Sequence, residues 1–139
     1  LALWNAEDLC LKFDINAHED VIFDVRWSPD GMQLATASID GTVQIRNGQT
    51  GELLATLKGH LSGVRRARWH PAGDRIATCG EDGTVRIWKP DTGREVLTIR
   101  VGDRPIDGID WSPDGRQIVT ASADGRIQVW DASKAYTEV

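Results

Sequence analysis

Residues 59–88 read GHLSGVRRARWHPAGDRIATCGEDGTVRIW, and related segments lie 42 residues earlier and 42 residues later in the chain. Of the 21 positions in 27–47, 12 are identical in 111–131. A fixed period of this length predicts a repeat architecture, in which each repeat forms one small structural unit. The recurring residues include Trp27, Trp69 and Trp111, together with Asp40, Asp82 and Asp124, each of which precedes a glycine.

Each repeat carries the signals of four short strands. In the first repeat we predict strands over 22–27, 33–38, 42–46 and 53–57. The turn Ser28-Pro-Asp-Gly31 ends the first strand, and Asp40-Gly41 is a two-residue hairpin signal between the second and the third. No segment keeps helical apolar spacing over ten residues. The chain is therefore predicted to be all-β, built of four-stranded antiparallel meanders that suit propeller blades better than a sandwich.

The first strand of each repeat is predicted to contain a β-bulge. Ile22, Val25 and Trp27 are apolar, and their equivalents in the other repeats are apolar too. The spacing of three and then two residues breaks the alternation of a regular strand. One extra residue at 23 or 24, and at the equivalent positions of the other repeats, accounts for the change.

Composition excludes several classes of partner. The net charge of −5 and the pI near 5.1 argue against nucleic acid, because phosphate binding needs clustered positive charge. No apolar run reaches the length of a membrane-spanning helix, so we expect no membrane partner. Cys10 and Cys79 fall at unrelated repeat positions, which argues against a disulfide framework and predicts a reducing, cytoplasmic location.

A unit of about 42 residues with four strands, Gly-His near its start and Trp-Asp near its end, resembles the WD-repeat β-propeller family. The resemblance implies about three blades of a larger propeller, over 16–57, 58–99 and 100–139, with 1–15 as the end of a preceding blade. Leu1 to Trp4 match the end of a repeat, so we expect the remaining blades to come from the same longer chain rather than from other copies.

The resemblance also implies a hydrogen-bonded set inside each blade, made of a loop His, a Ser or Thr on the second strand, the hairpin Asp and a Trp. The first repeat has Arg46 in the Trp position, the second has Gly80 in the Ser position, and the third has Gly102 in the His position. The predicted members are His18, Ser38 and Asp40, then His60, Asp82 and Trp88, and finally Ser122, Asp124 and Trp130.

No residues outside the repeat pattern point to catalysis. His18 and His60 share one repeat position and are interpreted as buried struts rather than metal ligands, and His70 beside Pro71 is expected in solvent. Cys79 aligns with Ala37 and Ala121 and is interpreted as a small core residue. We therefore expect no enzyme activity, no catalytic residue, no metal and no cofactor.

Positions that differ between repeats while their neighbours stay fixed indicate solvent exposure. In the WD-repeat family the equivalent positions line the top face, where protein or peptide partners bind. Val21, Phe23 and Ile39 make this patch apolar in the first repeat, with Phe23 as the predicted anchor, unless the next blade covers them. The predicted partner-binding residues are Val21, Phe23, Ile39, Arg65, Glu81 and Asp107.

The most direct functional reading is a non-catalytic scaffold for protein–protein interaction. The resemblance also implies an alternative, in which the repeats are a regulatory or sensor segment of a larger bacterial signalling enzyme, such as a kinase or an NTPase. Any catalysis would then lie outside these residues.

Overall fold

The computed structural model describes residues 1–133 as an all-β structure. Within these residues there is no helix, and hence none long and apolar enough to cross a membrane. The strands are β1 Ala2–Trp4, β2 Leu11–Asp14, β3 Ile22–Trp27, β4 Gln33–Ser38, β5 Thr42–Asn47, β6 Leu53–Lys58, β7 Val64–Trp69, β8 Ile76–Gly80, β9 Thr84–Lys89, β10 Arg94–Arg100, β11 Ile106–Trp111, β12 Gln117–Ser122 and β13 Ile127–Asp131.

The strands form four antiparallel sheets in chain order. A two-stranded sheet of β1 and β2 is followed by the four-stranded meanders β3–β6 and β7–β10 and by β11–β13. The four-stranded sheets end at Lys58 and Arg100, one residue beyond the predicted units. Residues 134–139 of the last predicted unit lie outside the described part of the chain. We call β3–β6, β7–β10 and β11–β13 the first, second and third blades.

The predicted bulges are present in all three blades. In the first blade Ile22 pairs with Ser38 and Asp24 pairs with Ala37, so Phe23 is left out of the pairing. The same shift between β7 and β8, and between β11 and β12, leaves out Arg65 and Asp107. A bulged residue turns away from the ladder and changes the direction of its side chain. The bulges lie at the start of the first strand, near the end of the blade that we call the upper face.

The hairpin at Asp40 differs from the predicted two-residue turn. The Gly41 N–H donates to the Ser38 carbonyl at 3.2 Å, and Gly41 has a φ of 85°. The turn therefore spans four residues, with Asp40 third and the glycine in the left-handed region at its end. The Asp40 carboxylate accepts the Thr42 backbone N–H at 2.9 Å, which fixes the start of the next strand.

The hydrophobic cores lie between adjacent blades. The first core joins Ala35, Ala37, Val43, Ile45 and Leu57 of the first blade to Val64, Ala67, Ile76 and Trp88 of the second. The second core joins Ala77, Cys79, Val85 and Ile87 to Ile106, Ile109, Trp111, Ile118 and Ala132 of the third blade. Each blade therefore buries one apolar face only when a neighbour lies against it, as in other stacked repeats.

Candidate functional site

The three bulge residues form a row across the upper face. The Arg65 guanidinium lies 4.8 Å from the centre of the Phe23 ring, within the range of a cation–π contact. Its Nε is 3.9 Å from Oδ1 of Asp107 in the third blade. Because each bulge aims its residue out of the sheet, three blades contribute to one continuous surface.

Arg65 also forms an ion pair with Glu81 of its own blade. Its Nη2 lies 2.8 Å from Oε1 of Glu81, and both side chains are partly exposed. The Ser62 hydroxyl donates to the other carboxylate oxygen of Glu81 at 3.1 Å. A partly exposed pair of this kind contributes little to stability, so its main effect is to hold Arg65 over Phe23.

The apolar residues of the predicted patch differ in their exposure. Val21 is 57% exposed, whereas Phe23 and Ile39 are half-buried. Arg65 covers Phe23 from the second blade, and Gly63 lies against Ile39, since a Cβ at Gly63 would stand 3.1 Å from the Ile39 side chain. The next blade thus covers part of the patch, which is the alternative raised from the sequence.

An upper cleft opens between the hairpin of the first blade and the loop that leads into the second. It has a volume of about 310 Å³ and is lined by Ile39, Leu61, Ser62 and Glu81, among others. Leu61 is 88% exposed at its rim. Leu61 was not among the predicted residues, although its repeat equivalents Glu19 and Asp103 vary in the same way as the predicted positions.

The second blade contains a complete chain of buried hydrogen bonds. Nδ1 of His60 contacts the Asp82 carboxylate at 3.0 Å, and Nε2 contacts the Thr78 hydroxyl at 2.7 Å. The Trp88 indole N–H donates to the same hydroxyl at 2.9 Å. Buried polar groups joined in this way rigidify the sheet around them.

Burial lowers the pKa of His60, although the Asp82 carboxylate acts to raise it. Burial also acts to raise the pKa of Asp82, but hydrogen bonds from the Leu61 N–H and from Thr84 bring it below its ordinary value. Asp82 therefore stays ionised and accepts from an imidazole that is neutral near pH 7. The assembly is held by hydrogen bonds and has no exposed group set up for proton transfer.

The first blade keeps half of this arrangement. His18 contacts Asp40 at 2.9 Å and Thr36 at 2.7 Å. Arg46 stands in the Trp position, where it donates to Gln44 and to the Gly51 carbonyl rather than to Asp40.

The third blade keeps the other half. The Trp130 indole N–H donates to the Thr120 hydroxyl at 3.1 Å, and Gly102 leaves open space where a His side chain would be, since a Cβ there would meet nothing within 4 Å. The Ser122 hydroxyl and the Arg126 N–H donate to Asp124 and lower the pKa of its carboxyl group.

The hydroxyl of each blade's hydrogen-bonded set comes from Thr36, Thr78 or Thr120, not from the position of Ser38 and Ser122. The Ser38 hydroxyl donates to the Val21 carbonyl at 2.9 Å, close to the bulge. The two positions lie on the same side of β4, and the threonine is the one near the middle of the sheet, where the imidazole reaches it. This corrects the predicted role of Ser38. Ser122 does donate to the hairpin residue Asp124, but the Trp130 indole N–H donates to Thr120 instead. Gly80 consequently breaks nothing in the second blade.

His70 is also placed differently from the prediction. Its ring packs edge-on against Trp111 of the third blade, with the ring centres 4.8 Å apart. Nε2 lies 3.2 Å from the Gly115 carbonyl, and Nδ1 accepts the Ala72 N–H at 3.1 Å. His70 is therefore largely covered at the junction of two blades and is not a solvated turn residue.

The family assignment follows from the arrangement of the strands and from a comparison with known repeats. The model of the family described as WD domain, G-beta repeat matches residues 9–47, 51–89 and 93–131. The chain belongs to the WD40 repeat family. Each matched repeat covers the last strand of one sheet and the first three strands of the next sheet. A sequence repeat therefore spans two neighbouring WD40 blades, which are connected covalently as well as by their shared core. The predicted propeller-blade fold is confirmed.

The relatives of this WD40 chain are larger proteins. WD repeat-containing protein 1 of Mus musculus is 45% identical over 56 residues, which are 38% of this chain and 9% of that protein. The transcriptional corepressor LEUNIG_HOMOLOG of Arabidopsis thaliana is 38% identical over 63 residues, or 45% of this chain and 8% of that protein. Human coronin-7 is 37% identical over 49 residues, which are 35% of this chain and 5% of that protein. The matched segments thus span less than a tenth of each relative's length.

Within residues 1–133, no three His, Cys, Asp or Glu side chains gather in an arrangement that could hold a metal ion. Burial raises the pKa of the Cys79 thiol to about 12, so this thiol is not a nucleophile near neutral pH. The upper face offers apolar contact at Ile39 and Leu61, ion pairing at Arg65 and Glu81, and a hydrogen bond at Ser62.

Proposed function

We propose that this chain is a non-catalytic interaction module whose upper face binds a segment of another protein. The observation that supports this most is the row of bulge residues Phe23, Arg65 and Asp107, which three blades present side by side next to an open cleft. The bulge leaves these positions without a role in the ladder, so they are free to vary without loss of the fold. WD repeat relatives are consistent with a scaffold role.

The chemistry of the upper face favours a basic segment with one aliphatic side chain. Ile39 and the exposed Leu61 offer apolar contact at the cleft, and Glu81 offers a carboxylate beside them. Carboxylates outnumber guanidinium groups in this region, so a cationic partner is attracted and an acidic one is repelled. The acidic residues are Glu19, Asp20, Glu81, Asp103 and Asp107, and the basic ones are Arg65, Arg66, Arg100 and Arg104.

Selection of peptides from a random library on the immobilised chain tests this proposal. We expect the recovered peptides to share an aliphatic residue next to Lys or Arg. Leu61→Asp copies the residue of the third repeat, and it should weaken their binding at least tenfold because it removes apolar contact at the cleft. Leu9→Asp, a matched change at an exposed leucine in the connection between β1 and β2, should leave binding unchanged. Peptides that bind the Leu61→Asp variant as well as the parent would show that the cleft is not the site.

We also propose that further blades of the same longer chain cover the outer faces of the first and third blades. The outer face of the third blade carries Val119, Ile127 and Val129, which are exposed, while their equivalents in the second blade lie inside a core. The short share of each relative that the chain matches is compatible with such an array. Light scattering on the isolated 139-residue chain should show no stable dimer or trimer, whereas a single defined oligomer would support closure by copies instead.

A cytoplasmic location is proposed as well, and the two free thiols of Cys10 and Cys79 support it. Imaging of the tagged full-length protein tests the location. The alternative of a regulatory segment in a larger bacterial signalling enzyme stays a prediction, and the complete reading frame tests it through the presence or absence of a kinase or NTPase domain.

A further inference from the structure

The two junctions between blades differ on the lower face, at the end opposite the bulges. Between the second and third blades, the His70 ring fills the space beside Trp111 and the turn glycine Gly115. A Cβ on Gly115 would come within 2.1 Å of Nε2 of His70, so the ring fits closely against this turn. Ser28 stands at the repeat position of His70 in the first blade, and its side chain is too short to fill the same space.

The corresponding space between the first and second blades is an open cleft. It has a volume of about 590 Å³ and is lined by the apolar or small residues Ser28, Pro29, Trp69 and Gly73 and by charged residues of both signs. The charged lining residues are Asp30, Asp74, Asp91, Arg75 and Lys89. The nearest atom to a Cβ built on Gly73 is the Pro29 Cδ at 3.9 Å, which is a loose contact. A Cβ built on the equivalent Gly115 would instead clash with His70. We call this space the lower cleft. At the next junction along the chain, the His70 ring occupies the equivalent space.

The walls of the lower cleft are held in the same way as those around His70. The Trp69 indole N–H points to the Arg26 carbonyl at 3.4 Å, and the Trp111 indole N–H points to the Arg68 carbonyl at 3.1 Å. Both tryptophans are thus anchored to the preceding blade at the equivalent residue. Trp69 nevertheless remains half-exposed, whereas Trp111 is buried.

We propose that the lower cleft binds the imidazole ring of a histidine from a partner protein. The ring would lie edge-on against Trp69 and donate its N–H to the Gly73 carbonyl, as His70 does at Trp111 and Gly115. In the His70 arrangement, Nε2 faces the Gly115 carbonyl, which can only accept, so this nitrogen carries a proton. Nδ1 lies against the Ala72 N–H and 3.2 Å from Oδ1 of Asp74. An aromatic ring without an N–H would leave that carbonyl unpaired. The lower cleft lies at the other end of the blades from the upper cleft, so this proposal is independent of the proposed function.

Titration with free imidazole, followed through the indole resonance of Trp69, tests the proposal. We expect a saturable shift with roughly millimolar affinity, since a five-atom ring can gain little more than that. Thiazole has a similar shape without the N–H and should bind about fivefold more weakly, the factor that one neutral hydrogen bond supplies. The capped amino acid N-acetylhistidine methylamide should give the same shift. Binding of imidazole without binding of the capped histidine would overturn the assignment to a partner's side chain.

Ser28→His fills the cleft from within, as His70 does in the second blade, and should abolish the imidazole shift. Ser112→His is the matched control, because Ser112 makes the same contacts as Ser28, to an Asp carboxylate at 2.6 Å and from a Gln N–H at 2.9 Å, at a place away from the cleft. The control should keep the full shift. Ala72→Tyr, which narrows the rim without touching these bonds, should also remove it if the Ser28 variant fails to fold. An undiminished shift in folded Ser28→His or Ala72→Tyr would place imidazole elsewhere.

Discussion

The second blade and the third blade are built from the same repeat, yet they differ in how much of their apolar surface is covered. Val85 and Ile87 of the second blade are 1% and 0% exposed, whereas their equivalents Ile127 and Val129 are 75% and 62% exposed. Both strands pair antiparallel with the second strand of their blade, but β9 also has β10 along its other edge and the third blade against its face. Within residues 1–133, β13 has neither a fourth strand nor a following blade beside it. A WD40 unit therefore supplies half of two cores and completes neither by itself.

The blades also differ in their internal hydrogen bonds, and the second blade, whose apolar surface is the better covered, again has the more complete set. The second blade has the whole chain from Asp82 through His60 and Thr78 to Trp88. The first blade lacks the Trp, and the third lacks the His. We infer that the second blade carries the largest share of stability and that its outer neighbours tolerate imperfect sets because their open faces are already partly hydrated.

The largest loss is expected from Trp88→Arg, which gives the second blade the residue of the first. Trp88 is buried in the core between blades, and its replacement leaves a cavity and a charge. Arg46 donates to Gln44, but the residue equivalent to Gln44 in the second blade is Arg86. A guanidinium at position 88 would therefore lie beside a like charge, and its cross-strand neighbour Glu95 already pairs with Arg86. We expect the free energy of unfolding to fall by about 4 kcal/mol or more, measured by urea denaturation.

Trp130→Arg is the comparison for that experiment. Trp130 is only half-buried, and the same change should cost about 1–2 kcal/mol because water can reach the new guanidinium. Equal losses in the two variants would contradict the claim that the second blade is the more stable centre.

A smaller loss is expected from Thr78→Val, which removes the hydroxyl and keeps the shape. The change leaves a buried ring nitrogen of His60 and the Trp88 indole N–H without their shared partner. Each buried unsatisfied group costs about 1–3 kcal/mol, so we expect a total of about 2–4 kcal/mol. Thermal or urea unfolding gives the value.

Thr36→Val and Thr120→Val provide the graded comparison, because each leaves one polar group without a partner instead of two. We expect about half the cost of Thr78→Val in both. Three equal values would mean that the shared hydroxyl adds nothing beyond its own packing.

Much of the fold could be predicted from the sequence because the repeats align with one another. The bulges, for example, follow from apolar spacing that recurs in three repeats, and Phe23, Arg65 and Asp107 were placed within one residue by it. The contacts of His70 could not be predicted in the same way. Its partner Trp111 belongs to the next sheet, and that contact depends on how two blades approach each other.

The assignment of Ser38 to the hydrogen-bonded set, where the structure has Thr36, was wrong for a related reason. Both lie on the same side of β4, so alternation cannot separate them, and only the depth that the imidazole reaches decides between them. Leu61, by contrast, was within reach of the sequence, since charged residues replace it in the other repeats.

The smallest effect is expected from Arg46→Trp, which restores the residue that the first blade lacks. In the second blade, Trp88 shares a core with Leu57 and Ala55 of the preceding blade. One repeat earlier, the positions of these two residues hold Ile15 and Phe13, which are also apolar. An indole at 46 therefore has apolar neighbours, and its N–H can donate to Thr36 as Trp88 does to Thr78. The change loses the bonds from Arg46 to Gln44 and to the Gly51 carbonyl.

We expect a net gain of about 1 kcal/mol in the free energy of unfolding, because the face remains partly open to water. Arg46→Leu separates the two contributions, since it adds an apolar body without an indole N–H and should gain less than Arg46→Trp. A loss of stability in both variants would show that the bond from Arg46 to the Gly51 carbonyl holds the lower turn of the first blade. Arg46 would then stabilise the first blade through its own hydrogen bonds, in place of the bond that Trp88 makes in the second blade. The first blade would thus have a different set of bonds and not an incomplete one.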